Sequence, residues 1–425
     1  MMPVPLTYSQ RFMYDLYSRG ARSLQIPMCV RIKGHTDPED FKRAAASLAA
    51  RNPIMTSRLE LIDGEPTQRQ GDQAVSVEFL DITGSPDPQA AGLLLAQADA
   101  PVDLFRDSPF RFVVARVGAD EVLFMLVGHH LYIDLTGLRG LLIDYLNLLT
   151  GRPLSTPATP QLEADRSFLA YAIAEQKMIS EGIYAKRGQY WASRLSEADP
   201  ALHFPGRGAD PQHQSPSTVT FKLDGDSYQE FSDRARRLRV SHFALASTAL
   251  FHGLRQATGQ DNILLSLIID TRRPPFHRAF GNFVGTSYIQ QRASDAGASE
   301  ESIRAVSREI ALSIANYVPQ SVFSSEVGWM GERLAKKFST TETHVNYAPV
   351  RSSISSIFKN SSCEIEYFSL KGRDLRPRLP YMGVVLDIKM FPTPGALSGS
   401  IGFETAVVTP DIAQGIVSTM LSSLA

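Results

Sequence analysis

The sequence predicts an α/β protein built as two lobes, and three observations carry that prediction. Strand-length apolar runs alternate with segments whose apolar residues recur every three to four positions. At 425 residues the chain exceeds what one ordinary core organises, which points to lobes of roughly 180–240 residues. The second half runs strand, helix, helix, strand into a polar cluster, loosely echoing the first half without a repeat of fixed period. The lobe boundary falls between Glu163 and Ser217 and is drawn at 175/176, giving lobes 1–175 and 176–425.

Taking the elements in order, Thr7 to Ser18 predicts a short helix with Phe12, Leu16 and Tyr17 on one side. His35 to Asp40 reads as a helix start: a capping Thr36 or Asp37, then proline, then acids at the positive end of the dipole. Phe41, Ala44, Ala45, Leu48 and Ala49 continue it at helical spacing. Pro109–Val117 and Glu121–Gly128 form a predicted hairpin turning at Gly118-Ala119-Asp120. Its second arm is almost wholly apolar from Val122 to Val127, the pattern of a strand covered on both faces, and it delivers His129 and His130 at its end. Thr136 is the expected cap of a helix from about Leu138 to Leu149, ended by Gly151 and Pro153.

A loop from Gly151 to Gln161 precedes a long helix or helix pair from about Asp165 to Leu195. Pro200 to Ser217 is the clearest loop in the middle of the chain. The second half then gives a strand (Thr218–Leu223), two helices (Gly225–Leu238, His242–Ala257) and a buried strand (Asn262–Ile269) ending in Asp270-Thr271-Arg272-Arg273-Pro274. Helices are expected at Ser302–Tyr317, Glu326–Phe338 and Pro410–Leu424. Strands are expected at Thr343–Tyr347, Glu364–Ser369, Val384–Met390 and Ser400–Thr405.

Composition excludes several function classes. With 43% hydrophobic and 20% charged residues the chain has an ordinary globular balance, and a net charge of −1 gives no global field toward nucleic acid or an anionic membrane. No apolar run approaches the ~18 residues of a membrane-spanning helix, and the start lacks signal-peptide character. Cys29 and Cys363, far apart in apolar surroundings, read as buried thiols, and a cytoplasmic location is expected.

The sharpest local signal is His129-His130-Leu131-Tyr132-Ile133-Asp134. Chance would produce this spacing about once in a hundred chains with as many histidines. An imidazole accepts and returns a proton near neutral pH, and a strand end faces the crevice where α/β folds bind ligands. An acid four residues on can brace the turn that aims the ring. On the residues alone a second reading stays open: strand-end histidines packed into a core, with Asp134 as a turn residue. No metal is expected, since adjacent strand residues point to opposite faces and a third ligand at suitable spacing is missing.

With these residues in view, the sequence resembles the condensation domains of nonribosomal peptide synthetases, members of the chloramphenicol-acetyltransferase-like superfamily. Their motif is His-His-x-x-x-Asp-Gly, and further landmarks follow in family order. Pro5 to Arg11 resembles the opening helix motif, and Arg51 to Thr56 more loosely resembles an Arg-His-x-x-Leu-Arg segment. Val102-Asp103-Leu104 with Pro109-Phe110-Arg111 resembles the stretch before the catalytic strand. Tyr190-Trp191 with Leu195, Thr258 to Asp261, Arg272, Gly281 to Thr286, and Asn346-Tyr347 are similar to the later landmarks.

The resemblance implies two acyltransferase-like lobes in a V-shaped pseudodimer with a central tunnel. It further implies amide or ester formation from an acyl or peptidyl thioester, carried on the phosphopantetheine of a carrier protein, in natural-product (antibiotic) biosynthesis. The resemblance implies no bound cofactor. The acceptor is an amine or hydroxyl, carrier-borne or free, and with no carrier motif after Ala425 the carriers are expected as separate chains or as lost by excision. His130 is implied as the general base, His129 as structural, and Asp134 as the ion-pair partner of Arg272. Asn346, Gly137 and Gly285 are further residues of that site. Nucleic acid and membrane partners are not expected.

Two departures stand out. Leu135 occupies the motif's glycine position, with a glycine arriving only at Gly137, and a branched side chain there is expected to narrow the tunnel. Gly285 stands where the family commonly has Asn. The first keeps open a docking module that kept the fold and lost the reaction; a related acyltransferase fed by acyl-coenzyme A is a second alternative. Arg234, Arg236, Arg237 and Arg239 fit either a docking patch for an acidic carrier or a solvated helix face.

Overall fold

The computed structural model describes residues 3–20, 24–34, 37–71, 75–154, 167–195, 198, 201–205, 216–292, 299–319, 322–323, 327, 342–349, 353–370 and 384–424. It divides into two units of similar size. The first comprises Met1–Gly182, Asp270–Val284 and Ser353–Asp374, and the second Ile183–Ile269, Gly285–Ser352 and Leu375–Ala425. The sequence expectation has a single break at 175/176; here two later segments join the first unit. One of them does so by strand pairing.

In the first unit, β2 (Gln25–Lys33), β5 (Val77–Asp81), β6 (Phe110–Gly118), β7 (Glu121–His129) and β12 (Glu364–Tyr367) form a sheet in the order β12-β2-β7-β6-β5. β12 pairs antiparallel with β2, and that pairing ties Glu364–Tyr367 to this unit. A smaller sheet joins β1 (Val4–Pro5), β4 (Glu65–Gln70) and β3 (Ser57–Ile62). The helices are α1 (Tyr8–Ser18), α2 (Pro38–Arg51), α3 (Asp87–Asp99), α4 (Leu135–Leu149), α5 (Phe168–Ser180) and the short α10 (Ile354–Ile357).

β7 is the strand whose apolar run predicted burial on both faces, and its side chains divide by alternation as a strand requires. Val122, Phe124 and Leu126 enter one core with Phe41 of α2 and Leu138, Leu141, Leu142 and Tyr145 of α4. Leu123, Met125 and Val127 enter a second core with Ala90, Leu94 and Ala98 of α3. Phe124 stacks on Tyr145 at 4.2 Å, and the Tyr145 hydroxyl donates to the Phe41 carbonyl at 3.1 Å, so α4, α2 and β7 share one fixed register. The strand that ends in the histidine pair is therefore clamped from both sides.

The second unit contains α6 (Ile183–Leu195), α7 (Gly225–Leu238), α8 (His242–Thr258), α9 (Glu300–Ala315) and α11 (Pro410–Leu424). Its sheet joins β10 (Val284–Gln291), β9 (Ile263–Asp270), β11 (Glu342–Tyr347), β13 (Val384–Thr393), β14 (Ala396–Glu404) and β8 (Pro216–Asp224) in that order. β9, β11 and β13 run parallel, and β14 and β8 close the edge antiparallel.

Most predicted elements recur within a few residues. Asp37 caps α2 by accepting from the Glu39 N–H at 2.9 Å; His35 and Thr36 lie outside the described residues. The long helix or helix pair predicted over 165–195 is a pair, broken at Gly182, whose φ of 67° is left-handed. The helix expected at Glu326–Phe338 lies outside the described residues, Val327 excepted. One prediction is corrected: α4 starts three residues before Leu138 and is capped by Asp134 rather than Thr136, because the Asp134 carboxylate accepts the Gly137 N–H at 2.7 Å. Both cysteines are buried free thiols. No helix of the described residues is long and apolar enough to cross a membrane.

Candidate active site

β7 ends at His129, and the chain turns at once. The His129 carbonyl accepts from the Tyr132 N–H at 2.8 Å and the Ile133 N–H at 3.2 Å, which coils residues 129–133 into a tight turn before α4. His129 is buried: its N–H donates to the Pro109 carbonyl at 2.9 Å, and its ring stands edge-on to Tyr17 at 5.7 Å. Its Nδ1 accepts from the Leu131 N–H at 3.2 Å, so that nitrogen is unprotonated and the neutral ring carries its hydrogen on Nε2. That hydrogen bond holds the ring against the turn. His130, half-buried, is fixed by its backbone N–H donating to the Leu24 carbonyl at 2.7 Å.

The far end of the turn is held by Asp134. One carboxylate oxygen, Oδ1, accepts the Gly137 N–H and pairs with Arg272 Nη2 at 2.9 Å; the other, Oδ2, accepts the Phe283 N–H at 2.9 Å. The Asp134 N–H donates to the Gly281 carbonyl at 3.2 Å. Arg272 matches this from its side, donating Nη2 to Gly281 O, Nε to Ala279 O and Nη1 to Asp270 Oδ1 at 3.1 Å each. The side chains of Arg272 and Asp134 are only 7% and 5% exposed. Burial works against the Arg272 charge, yet the Asp134 and Asp270 carboxylates outweigh it and hold its pKa above the ordinary arginine value. Every polar group of this clamp has a partner, the condition under which a buried ion pair is tolerated.

Aromatic rings floor the clamp. The Phe283 ring lies 4.5 Å from the Arg272 guanidinium carbon, and Phe168 and Tyr171 of α5 pack on Phe283 at 5.0 and 4.7 Å. Gly281 allows this closeness, since a Cβ there would fall 2.1 Å from Phe168 Cδ2. Gly137 is similarly constrained, its Cβ position lying 2.6 Å from Ile133 Cδ1 and 3.1 Å from Arg272 Nη2.

The structure thus joins His129, His130, Asp134, Gly137 and Arg272 in one constellation of the first unit. Leu135 is the first residue of α4; its backbone is ordinary, with no positive φ, and the residue is 46% exposed. The helix start needs no glycine at that place. Asn346, half-buried on β11, and Gly285, buried on β10, belong to the second unit. Sequence reasoning missed Thr271, whose N–H and hydroxyl both donate to the Phe283 carbonyl at 2.9 and 2.8 Å, and also the roles of Gly281 and Phe283. The Gly281-Asn282-Phe283 landmark was the available signal. In the basic cluster at the end of α7, Arg236 pairs with Asp233, and Arg234 donates to the Ser423 carbonyl at 2.9 Å. Among the described residues no group of three His, Cys, Asp or Glu is placed to hold a metal ion.

A family model described as condensation domain matches residues 2–326. The chain belongs to the condensation-domain family. Enniatin synthase from Fusarium equiseti is 23% identical over 98% of the chain, which spans 13% of that synthase's length. Among solved structures, the starter condensation domain of rhizomide synthetase, in complex with C8-CoA, superposes with a TM-score of 0.76 at 18% identity, covering 100% of this chain and 95% of that one. The X-domain from teicoplanin biosynthesis gives 0.77 at 15% identity, covering 100% and 94%. These likenesses establish the fold of a condensation domain, chloramphenicol-acetyltransferase-like and mixed α/β.

Proposed function

We propose that this condensation domain transfers an acyl or peptidyl group from the thioester of a carrier-protein phosphopantetheine to an amine or hydroxyl, with His130 as general base. One observation supports it above the others: the His130 turn is fixed at one end by strand β7 and at the other by the fully satisfied Asp134–Arg272 clamp. In the step, the acceptor nitrogen or oxygen attacks the thioester carbonyl carbon as His130 takes its proton. The tetrahedral intermediate collapses with loss of the C–S bond, and the imidazolium returns the proton to the departing thiolate. The products are an amide or ester and a free phosphopantetheine thiol, and no covalent acyl-enzyme forms. Positioned general base catalysis contributes roughly 10²–10⁴-fold, and alignment of the two reactants supplies the rest. On this reading the two units are the two acyltransferase-like lobes, and substrates arrive already activated, so no bound cofactor takes part.

Incubating acyl-loaded carrier with panels of amines and alcohols tests the proposal. Amide or ester product that disappears in His130→Ala supports it. Absence of product from the wild type, or equal product from the variant, contradicts it. A second reading, acyl-coenzyme A as donor, draws on the rhizomide starter domain solved with C8-CoA. Turnover with acyl-coenzyme A alone, with no carrier present, separates the two.

A further inference from the structure

Glu175 is a buried carboxylate on α5 that the acyl-transfer chemistry does not use. Its Oε2 accepts the Tyr8 N–H at 2.8 Å and its Oε1 the Tyr171 hydroxyl at 3.1 Å. Tyr8 opens α1, and the first N–H groups of a helix have no partner within it, so the carboxylate sits at the positive end of α1. The neighbouring residues tie α1 to the rest of the unit. Gln10 exchanges amide hydrogen bonds with the buried Gln68 at 2.9 Å, and Ser9 Oγ donates to the Val284 carbonyl at 2.7 Å.

Two contact paths therefore run from Glu175 to the clamp. One passes through the Tyr171 ring to the Phe283 ring and on to Arg272, over 4.7 and 4.5 Å. The other passes through Tyr8 and Ser9 to Val284, the residue after Phe283, whose N–H is held by Asp134. Burial disfavours the charged carboxylate and pushes its pKa up to about 7, against the opposing pull of its two donors.

We propose that Glu175 is a positioning residue for the acyl transfer. Its carboxylate fixes α1 and Tyr171 against residues 281–284, and through them the Asp134–Arg272 clamp that sets the His130 turn. The effect on turnover rests on the reading of His130 given above; the effect on the clamp does not.

The test compares wild type with Glu175→Gln, Tyr171→Phe and Ser9→Ala, with Glu181→Gln on the same helix's exposed end as control. Amide hydrogen exchange is read at Gly137 and Phe283, the two N–H groups bonded to Asp134. Exchange at both is expected to quicken by about tenfold in Glu175→Gln, with Ile401 and Met390 of the second unit and the control unchanged. Tyr171→Phe and Ser9→Ala each cut one path, so smaller changes in the same direction are expected, and they serve if Glu175→Gln does not fold. In the acyl-transfer assay kcat is expected to fall about tenfold with KM within about twofold. Unchanged exchange at both amides, or uniform quickening across both units, overturns the proposal. So does an unchanged kcat in an active protein. Should the wild type make no product, the reading of His130 fails, and the exchange data alone decide the role of Glu175.

Discussion

Asp134 and Arg272 lie 138 positions apart in the chain and 2.9 Å apart in space, and the carboxylate oxygen that meets the guanidinium is the one that caps α4. One oxygen thus fixes both the start of the helix after the His130 turn and the segment that packs beneath it. Removing Arg272 leaves Asp134 buried without its counter-charge, which costs about 3–5 kcal/mol. Arg272→Ala is therefore expected to lose most of its turnover and to unfold at a lower urea midpoint, while Asp134→Asn/Arg272→Met, with no buried charge left over, recovers much of the stability. Equilibrium urea unfolding of the set checks this.

Gly281→Ala is expected to destabilise by about 1–3 kcal/mol, because the new methyl enters the space of the Phe168 ring and forces it off Phe283. Turnover falls with it, since Phe283 carries both the N–H to Asp134 and the ring against Arg272. Thermal unfolding and kcat measured on one preparation test both halves.

Much of this was legible in the sequence, and what was hidden has a physical cause. The apolar run of β7, the turn after it and the cap of α2 are local patterns, written within a few residues. β2 was hidden because Pro27, Arg31 and Lys33 interrupt its apolar pattern; Arg31 is accommodated by Asp87, Glu121 and Glu366 and by the Phe368 ring, which the fold brings to it. α3 was blurred by Gly92 and by an exposed Leu93 beside buried Leu94 and Leu95. In the site, His130 and Asp134 were visible as spacing, whereas Arg272 was reached only through family resemblance. Nothing local announced Glu175, whose partner Tyr8 is 167 positions away.

The pH dependence of stability follows from Glu175. Its folded-state pKa of about 7 lies above the ordinary glutamate value of 4.5, so the folded protein holds this proton more tightly than the unfolded chain. That contribution is fully present below pH 4.5 and is lost as pH rises through 7, a change of about 3 kcal/mol. Glu175→Gln is expected to flatten this slope, so that the variant's stability relative to wild type improves between pH 5 and pH 8, the range spanning that value. Unfolding free energies at several pH values measure it.

Leu135→Gly restores the family's motif glycine at an exposed helix start that does not require one. A stability change within about 1 kcal/mol is expected, with His130-dependent turnover retained in both proteins. A large gain of activity from nearly none would instead mean that the leucine side chain blocks the reaction. Comparing kcat/KM for the two proteins decides it.

The most direct measurement is a single turnover: acyl-loaded carrier mixed with excess acceptor, quenched over time, for wild type and His130→Ala. A wild-type rate higher by roughly 10²–10⁴-fold is expected, with the variant still folded and still binding the carrier. Equal rates for the two proteins would contradict it.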